Sequence, residues 1–244
     1  MTDGKTYSHP PLIEVAFEIS FLPKIKVFSQ ISEFQDKIAD AFPIIGEGLP
    51  VTPFGKNEEI DKSLGRMLLF ENELRTKLLR IKINSFNFVE KKYISFNHFQ
   101  TECLDLWDKF CTNIGTFAVR RIGLRYINTL TFPLTDNIEG IKLFTKPYFD
   151  IKAFTEDKIG SISIEARVKR KDKNLTIRSG IIGVNKETGL MDYLLDYDCY
   201  QIGDKIFDGD LKKYIDNYHS TIEEQFLSDI EEIYLIYMET GEWK

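Results

Sequence analysis

Two stretches of the chain alternate apolar and polar residues with a period of two. In LIEVAFEISF, residues 12–21, Ile13, Val15, Phe17, Ile19 and Phe21 fall on one parity, and Glu14, Glu18 and Ser20 on the other. In VRRIGLRYINTLTF, residues 119–132, Ile122, Leu124, Tyr126, Leu130 and Phe132 share one parity, against Arg121, Arg125, Thr129 and Thr131. Such alternation predicts strands with one buried face, and Pro23 and Pro133 lie where each should end. After the first strand, Phe28, Ile31, Phe34, Ile38 and Phe42 recur at spacings of three and four, the apolar stripe of a helix. Its counterpart at 138–149 is shorter and interrupted by Pro147, so the helix there is expected to be lost or reduced to a turn.

Three strand-like segments follow in each half: 66–71, 76–84 and 86–96, then 158–170, 174–184 and 190–200. Lys171-Asp172-Lys173 and Lys186-Glu187-Thr188-Gly189 read as hairpin turns, so the pairing should be antiparallel. Each half closes with an amphipathic helix. Asn97 and Gln100 resemble a capping box before the stripe Phe99, Cys103, Leu106, Trp107, Phe110 and Ile114. A second helix from about Asp210 carries Leu211, Tyr214, Ile215, Tyr218, Ile222, Phe226, Ile230 and Ile233 along one side.

The expected fold is therefore α+β, with two pseudo-repeats of strand, helix, three strands, helix at 10–116 and 117–240. They should share one compact unit with a largely antiparallel, continuous or barrel-like sheet covered by helices. Residues 43–65, from Pro43 through Pro50 and Pro53 to Gly65, show no clear period and read as a long loop, a candidate lid.

At 43% hydrophobic residues the chain has ample material for packed sheets. The first residues lack the apolar core of a signal peptide, and no stretch reaches the roughly 18 apolar residues of a membrane span. Cys103, Cys111 and Cys199 form no C-x-x-C pair, which fits reduced thiols and a cytoplasmic setting. A net charge of −6 argues against a dedicated nucleic-acid binder. Locally, residues 169–173 read Lys-Arg-Lys-Asp-Lys. Residues 223–242 carry Glu223, Glu224, Asp229, Glu231, Glu232, Glu239 and Glu242 with no Lys or Arg.

The polar parities of the two first strands have opposite sign, so Glu14 and Glu18 are expected to face Arg121 and Arg125, as cross-strand ion pairs or as a groove accepting an anion. Glu165, Arg167 and Lys169 share a parity on one strand and Arg178 lies on the next, a guanidinium-rich face suited to a phosphate ligand or simply a solvated hairpin. Asp192, Asp196 and Asp198 also alternate, but pairing with the basic strands explains them as well as a metal does. His9, His98 and His219 are too scattered for a zinc set. No metal, cofactor or catalytic residue is assigned, since no H-E-x-x-H, phosphate loop or nucleophile elbow occurs. A run of acids at the C-terminal end of the last helix opposes its macrodipole, which suggests a positive neighbour: the 169–173 hairpin, or a basic protein partner.

Pro10-Pro11-Leu12-Ile13-Glu14-Val15, Arg121-Ile122-Gly123-Leu124-Arg125-Tyr126-Ile127-Asn128, Leu194-Leu195-Asp196-Tyr197-Asp198 and the 219–226 stretch resemble a sporadically distributed bacterial family of uncharacterised proteins. That resemblance implies an accessory setting such as phage defence or toxin–antitoxin systems, and no chemistry. In outline the duplicated strands are also similar to triphosphate-tunnel enzymes. Their opening Glu-x-Glu-x-Lys is not reproduced by Glu14-Val15-Ala16-Phe17-Glu18. The expected function is a non-catalytic partner protein; the alternative is a phosphate-ligand sensor or tunnel-like enzyme using Arg121, Arg125, Arg167, Lys169 and Arg178.

Overall fold

The computed structural model describes residues 7–48, 66–133, 138–148, 161–185, 187–204, 207 and 209–243. Strand β1 (Leu12–Phe21) buries Val15, Phe17, Ile19 and Phe21, while Ile13 stays exposed at its open end. The helix expected over 28–42 forms as two pieces, α1 (Lys26–Ser29) and α2 (Ile31–Ile38), because Gln30 leaves helical geometry with φ −118° and ψ 10°. A turn then carries Phe42 into the core, with its N–H donating to Ile38 O at 2.8 Å.

Strand β2 (Ile44–Gly48) occupies the start of the segment read as a loop and pairs with β3 (Met67–Glu71) in the register Ile44↔Glu71. Two glycines in five residues hid it from the alternation test. Residues 49–65 of the expected lid lie outside the described residues. β4 (Lys77–Lys82) and β5 (Ser85–Glu90) follow as hairpin partners, then α3 (Phe96–Ile114). The N-cap of α3 is Ser95 and not Asn97: the Ser95 hydroxyl accepts from His98 N–H at 3.3 Å, so the helix begins two residues earlier than the Asn97–Gln100 spacing suggests.

β6 (Val119–Pro133) is followed by a short 3-10 turn at Ile138–Leu143, as Pro147 implied. β7 (Ile164–Arg170), β8 (Lys173–Asn185) and β9 (Leu190–Ile202) come next. The β7–β8 turn is held by Lys171 in the left-handed region, φ 55°. Asp210 caps α4 (Leu211–Asp229), its carboxylate accepting from Lys213 N–H at 3.2 Å. The single last helix expected from the stripe is in fact two. Ile230 is buried in an isolated bridge to Thr145, Glu231 is extended, and α5 (Glu232–Thr240) starts afresh. Glu231 and Glu232 thus sit at the N-terminus of α5, where the macrodipole favours acids. The unfavourable acid run expected at a helix C-terminus largely disappears.

The strand order is β2-β3-β4-β5-β1-β6-β9-β8-β7, an open nine-stranded sheet; it does not close into the barrel allowed for above. Pairs β1/β5, β2/β3, β3/β4, β4/β5, β7/β8 and β8/β9 are antiparallel. Among the described residues no helix is long and apolar enough to cross a membrane.

The chain divides into two compact units. The first comprises Val15–Leu124 with Gln201–Ile215, the second Met1–Glu14, Arg125–Tyr200 and Asp216–Lys244. The first unit is filled by aromatic rings: Phe86 meets Trp107 edge-on at 5.3 Å, Phe34 meets Phe110 at 5.4 Å and Phe88 stacks on Phe99 at 5.4 Å. Each such ring, fully buried, contributes about 1.5–3 kcal/mol. In the second unit Tyr126 and Tyr197 face α4, and Phe132 stacks on Phe144 at 4.5 Å.

Candidate functional site

Alternation on β6, β9, β8 and β7 sends one parity toward α4 and leaves a charged face on the other side of the second unit. Arg125 on β6 grips Asp196 on β9 with two parallel bonds, Nε to Oδ1 and Nη2 to Oδ2, both 2.7 Å. Arg178 on β8 donates from Nη1 to Asp196 Oδ2 at 3.1 Å and from Nε to Glu165 Oε2 at 2.8 Å. Arg167 closes the row, its Nε reaching Glu165 Oε1 at 2.9 Å. Guanidinium and carboxylate therefore alternate across four strands. The registers Arg178↔Asp196 and Glu165↔Arg178 produce this directly, since opposed residues point to the same face.

Electrostatics follow burial. The Asp196 carboxylate is 2% exposed, so its charge rests on the two guanidinium groups that hold it. The hydrogen bond to Asp196 pushes the Arg125 pKa up against the opposing effect of burial, and the charges of Asp196, Asp198 and Glu14 add to the rise. The Glu165 carboxyl is held below the usual range, chiefly by Arg167, then by Arg178. Lys169 lies further along β7 opposite Asn174.

Arg121 and Glu18 meet within the first unit, Nη1 to Oε1 at 3.2 Å, and Ser20 donates to the same oxygen at 3.0 Å. Gly123 makes this possible: a Cβ there would lie 2.6 Å from Arg121 Nη1, so the guanidinium lies across the bare backbone. The structure thus joins Arg125, Arg178, Glu165 and Arg167 through Asp196, pairs Arg121 with Glu18 separately, and gives Glu14 a charge interaction with Arg125. The three alternating aspartates do not act together, because Asp192 accepts from Thr131 at 2.6 Å while Asp196 serves the arginines.

A buried polar network lies under the opposite face of the second unit. Asp229, the last residue of α4, accepts from Tyr148 Oη at 2.7 Å, Tyr197 Oη at 2.8 Å and Gln225 Nε2 at 2.8 Å. Burial pushes the Asp229 carboxyl up, and these three donors pull it back. The end of α4 is met by the chain's own groups: Lys146 N–H donates to Asp229 O at 2.7 Å and Lys146 Nζ to Ser228 O at 3.0 Å. From the basic hairpin, Arg170 bonds Gln225 and Lys173 bonds Asn217. Two residues of the basic hairpin thus reach α4, on the neutral groups Gln225 and Asn217. Nearby, Tyr126 Oη and His219 Nδ1 are 2.8 Å apart, and burial drives the imidazole down to about 4.

Sequence reasoning missed one constellation. In the first unit Glu90, His98 and Glu102 bring their donor atoms within 4.8 Å of one another, the one such group among the described residues. Lys77 sits among them, its Nζ 2.5 Å from Glu102 Oε2, 3.4 Å from His98 Nε2 and 4.0 Å from Glu90 Oε1. Only the i, i+4 spacing of His98 and Glu102 was legible; Glu90 reaches them through strand pairing. No family model matches the chain, and no curated protein matches it.

Proposed function

We propose that this chain is a non-catalytic binding protein of a bacterial accessory system, of the phage-defence or toxin–antitoxin kind, that docks another protein on the charged strand face of its second unit. The carrying observation is the guanidinium–carboxylate row from Arg125 through Asp196, Arg178 and Glu165 to Arg167. On this face the guanidinium charges of Arg125 and Arg178 are already shared with Asp196 and Glu165, which weakens the attraction left for a phosphate. A protein partner can instead extend the row at its outer end, where the Arg167 side chain is 74% exposed, without breaking it. The same reading treats the two halves as copies of one ancestral unit. It is supported by a shared order, β3-β4-β5-β1 in one and β7-β8-β9-β6 in the other. A cytoplasmic setting fits the free, buried thiols of Cys103 and Cys199.

The experiment is affinity capture from the native host with wild type and Arg167→Glu, beside a thermal-shift panel of nucleotides and inorganic triphosphate. Capture of a defined protein that Arg167→Glu loses supports the docking face. A ligand at 100 times its dissociation constant adds about 2.7 kcal/mol of stability. A triphosphate shift that Arg125→Ala abolishes would overturn this reading in favour of a phosphate sensor. The tunnel-like enzyme has no support from an open sheet.

A further inference from the structure

We propose that Glu90, His98 and Glu102 form a binding site for a divalent transition-metal ion of the zinc class, with the Lys77 ammonium occupying its centre in the metal-free chain. The inference is independent of the docking reading and concerns the first unit alone. Glu90 ends β5 on the face that packs against α3; it is 1% exposed, and neither carboxylate oxygen accepts a hydrogen bond. A carboxylate taken out of water normally gains such donors or a close cation. The Lys77 ammonium stands 4.0 Å from Glu90 Oε1, too far for a hydrogen bond.

The other two donors come from the first turns of α3, where His98 and Glu102 lie four residues apart on one side. An ammonium group only donates, so in the tautomer with Nδ1 protonated His98 Nε2 accepts the 3.4 Å contact from Lys77 Nζ. That is the tautomer a metal requires. His98 Nε2 and Glu102 Oε2 are 3.6 Å apart. Two ligands at about 2.1 Å from a tetrahedral zinc stand about 3.4 Å from each other. This pair is already spaced for an ion, and the widest donor separation, within 4.8 Å, needs to close by at most about 1.4 Å. One imidazole and two carboxylates match zinc and its neighbours in the first transition row, and they neutralise a doubly charged ion once Lys77 swings away. The His98 side chain is 43% exposed, which provides the entry path and leaves a coordination position facing solvent.

The test is isothermal titration of the whole chain with zinc chloride at neutral pH in a non-chelating buffer. The wild type should take up one ion. His98→Ala, at a half-exposed helical position that does not threaten folding, should weaken uptake by about a hundredfold or more, and Lys77→Met, which removes the competing cation, should tighten it by about tenfold. Equal uptake by wild type and His98→Ala would place the ion elsewhere, and no saturable uptake by either wild type or Lys77→Met would rule the site out. Either result overturns the proposal.

Discussion

Two carboxylates are buried beneath helices, one in each unit, and they are treated in opposite ways. Asp229 accepts hydrogen bonds from Tyr148, Tyr197 and Gln225. Glu90 accepts none and stands 4.0 Å from the Lys77 ammonium. Burial pushes both groups' pKa values up, but only at Asp229 do neutral donors oppose it. A satisfied network specifies one packing of the elements that contribute to it, here the 3-10 turn region, β9 and α4. An orphaned carboxylate stabilises nothing by itself, and its presence calls for a cation. Asp229 is therefore read as a structural pin, and Glu90 as a ligand.

The largest effect that would break this contrast is at Asp229. Asp229→Ala strands the Tyr148 and Tyr197 hydroxyl protons, each at about 1–3 kcal/mol, while Gln225 Nε2 keeps its bond to Tyr148 Oη, so a loss of roughly 2 kcal/mol or more is expected. Urea unfolding reads it as a lower midpoint with an unchanged slope. A loss below about 1 kcal/mol would mean that Asp229 is no better supported than Glu90.

The arginines repeat the contrast at lower amplitude. Arg125→Ala removes two charge-assisted bonds from an almost wholly buried carboxylate and leaves Arg178 to hold it alone. About 2 kcal/mol should be lost, since hydrogen bonds to charged groups contribute about 1.5–3 kcal/mol. Arg121→Ala breaks a pair whose Glu18 carboxylate is 39% exposed, and less than about 1 kcal/mol is expected. Chemical denaturation of both variants side by side decides the point: equal losses would show that burial of the acceptor does not set the strength of these pairs.

Much of this scaffold was legible because the alternation is strong where one sheet face is buried. Leu12–Phe21 and Val119–Pro133 emerge from parity alone. Charge alternation on β7, β8 and β9 likewise placed Glu165, Arg167 and Arg178 on one face. Helix ends were less legible. The apolar stripe runs through Ile230 and Ile233 without interruption, and only the buried bridge to Thr145 reveals that the chain is extended there. The Asp229 and Glu90 clusters were hidden for a different reason. Tyr148 and Tyr197 are separated from Asp229 by 81 and 32 residues, so tertiary packing alone brings them to it. Glu90 fell inside the strand expected over 86–96, and its place beside Lys77 comes from strand register and not from any spacing.

The smallest effect sharpens the comparison most. Glu90→Gln keeps the shape of the side chain, removes the buried charge and breaks no hydrogen bond, so near neutral pH stability should change by less than about 1 kcal/mol, in the direction of a gain. Its pH dependence carries the physical content. Burial raises the folded-state pKa of Glu90 above its ordinary 4.5, with Lys77 opposing the rise. The folded chain then holds a proton that the unfolded chain has released. The stability this confers is complete below pH 4.5 and is lost as pH climbs through the raised value. Glutamine cannot titrate, so Glu90→Gln should gain on the wild type from pH 4.5 upward through the raised value, while carboxylates that do not interact with Glu90 cancel in the difference. Urea unfolding of both proteins across that range measures it. A difference that stays flat would mean that Glu90 is already as well neutralised as Asp229, and would remove the physical reason for an ion beside it.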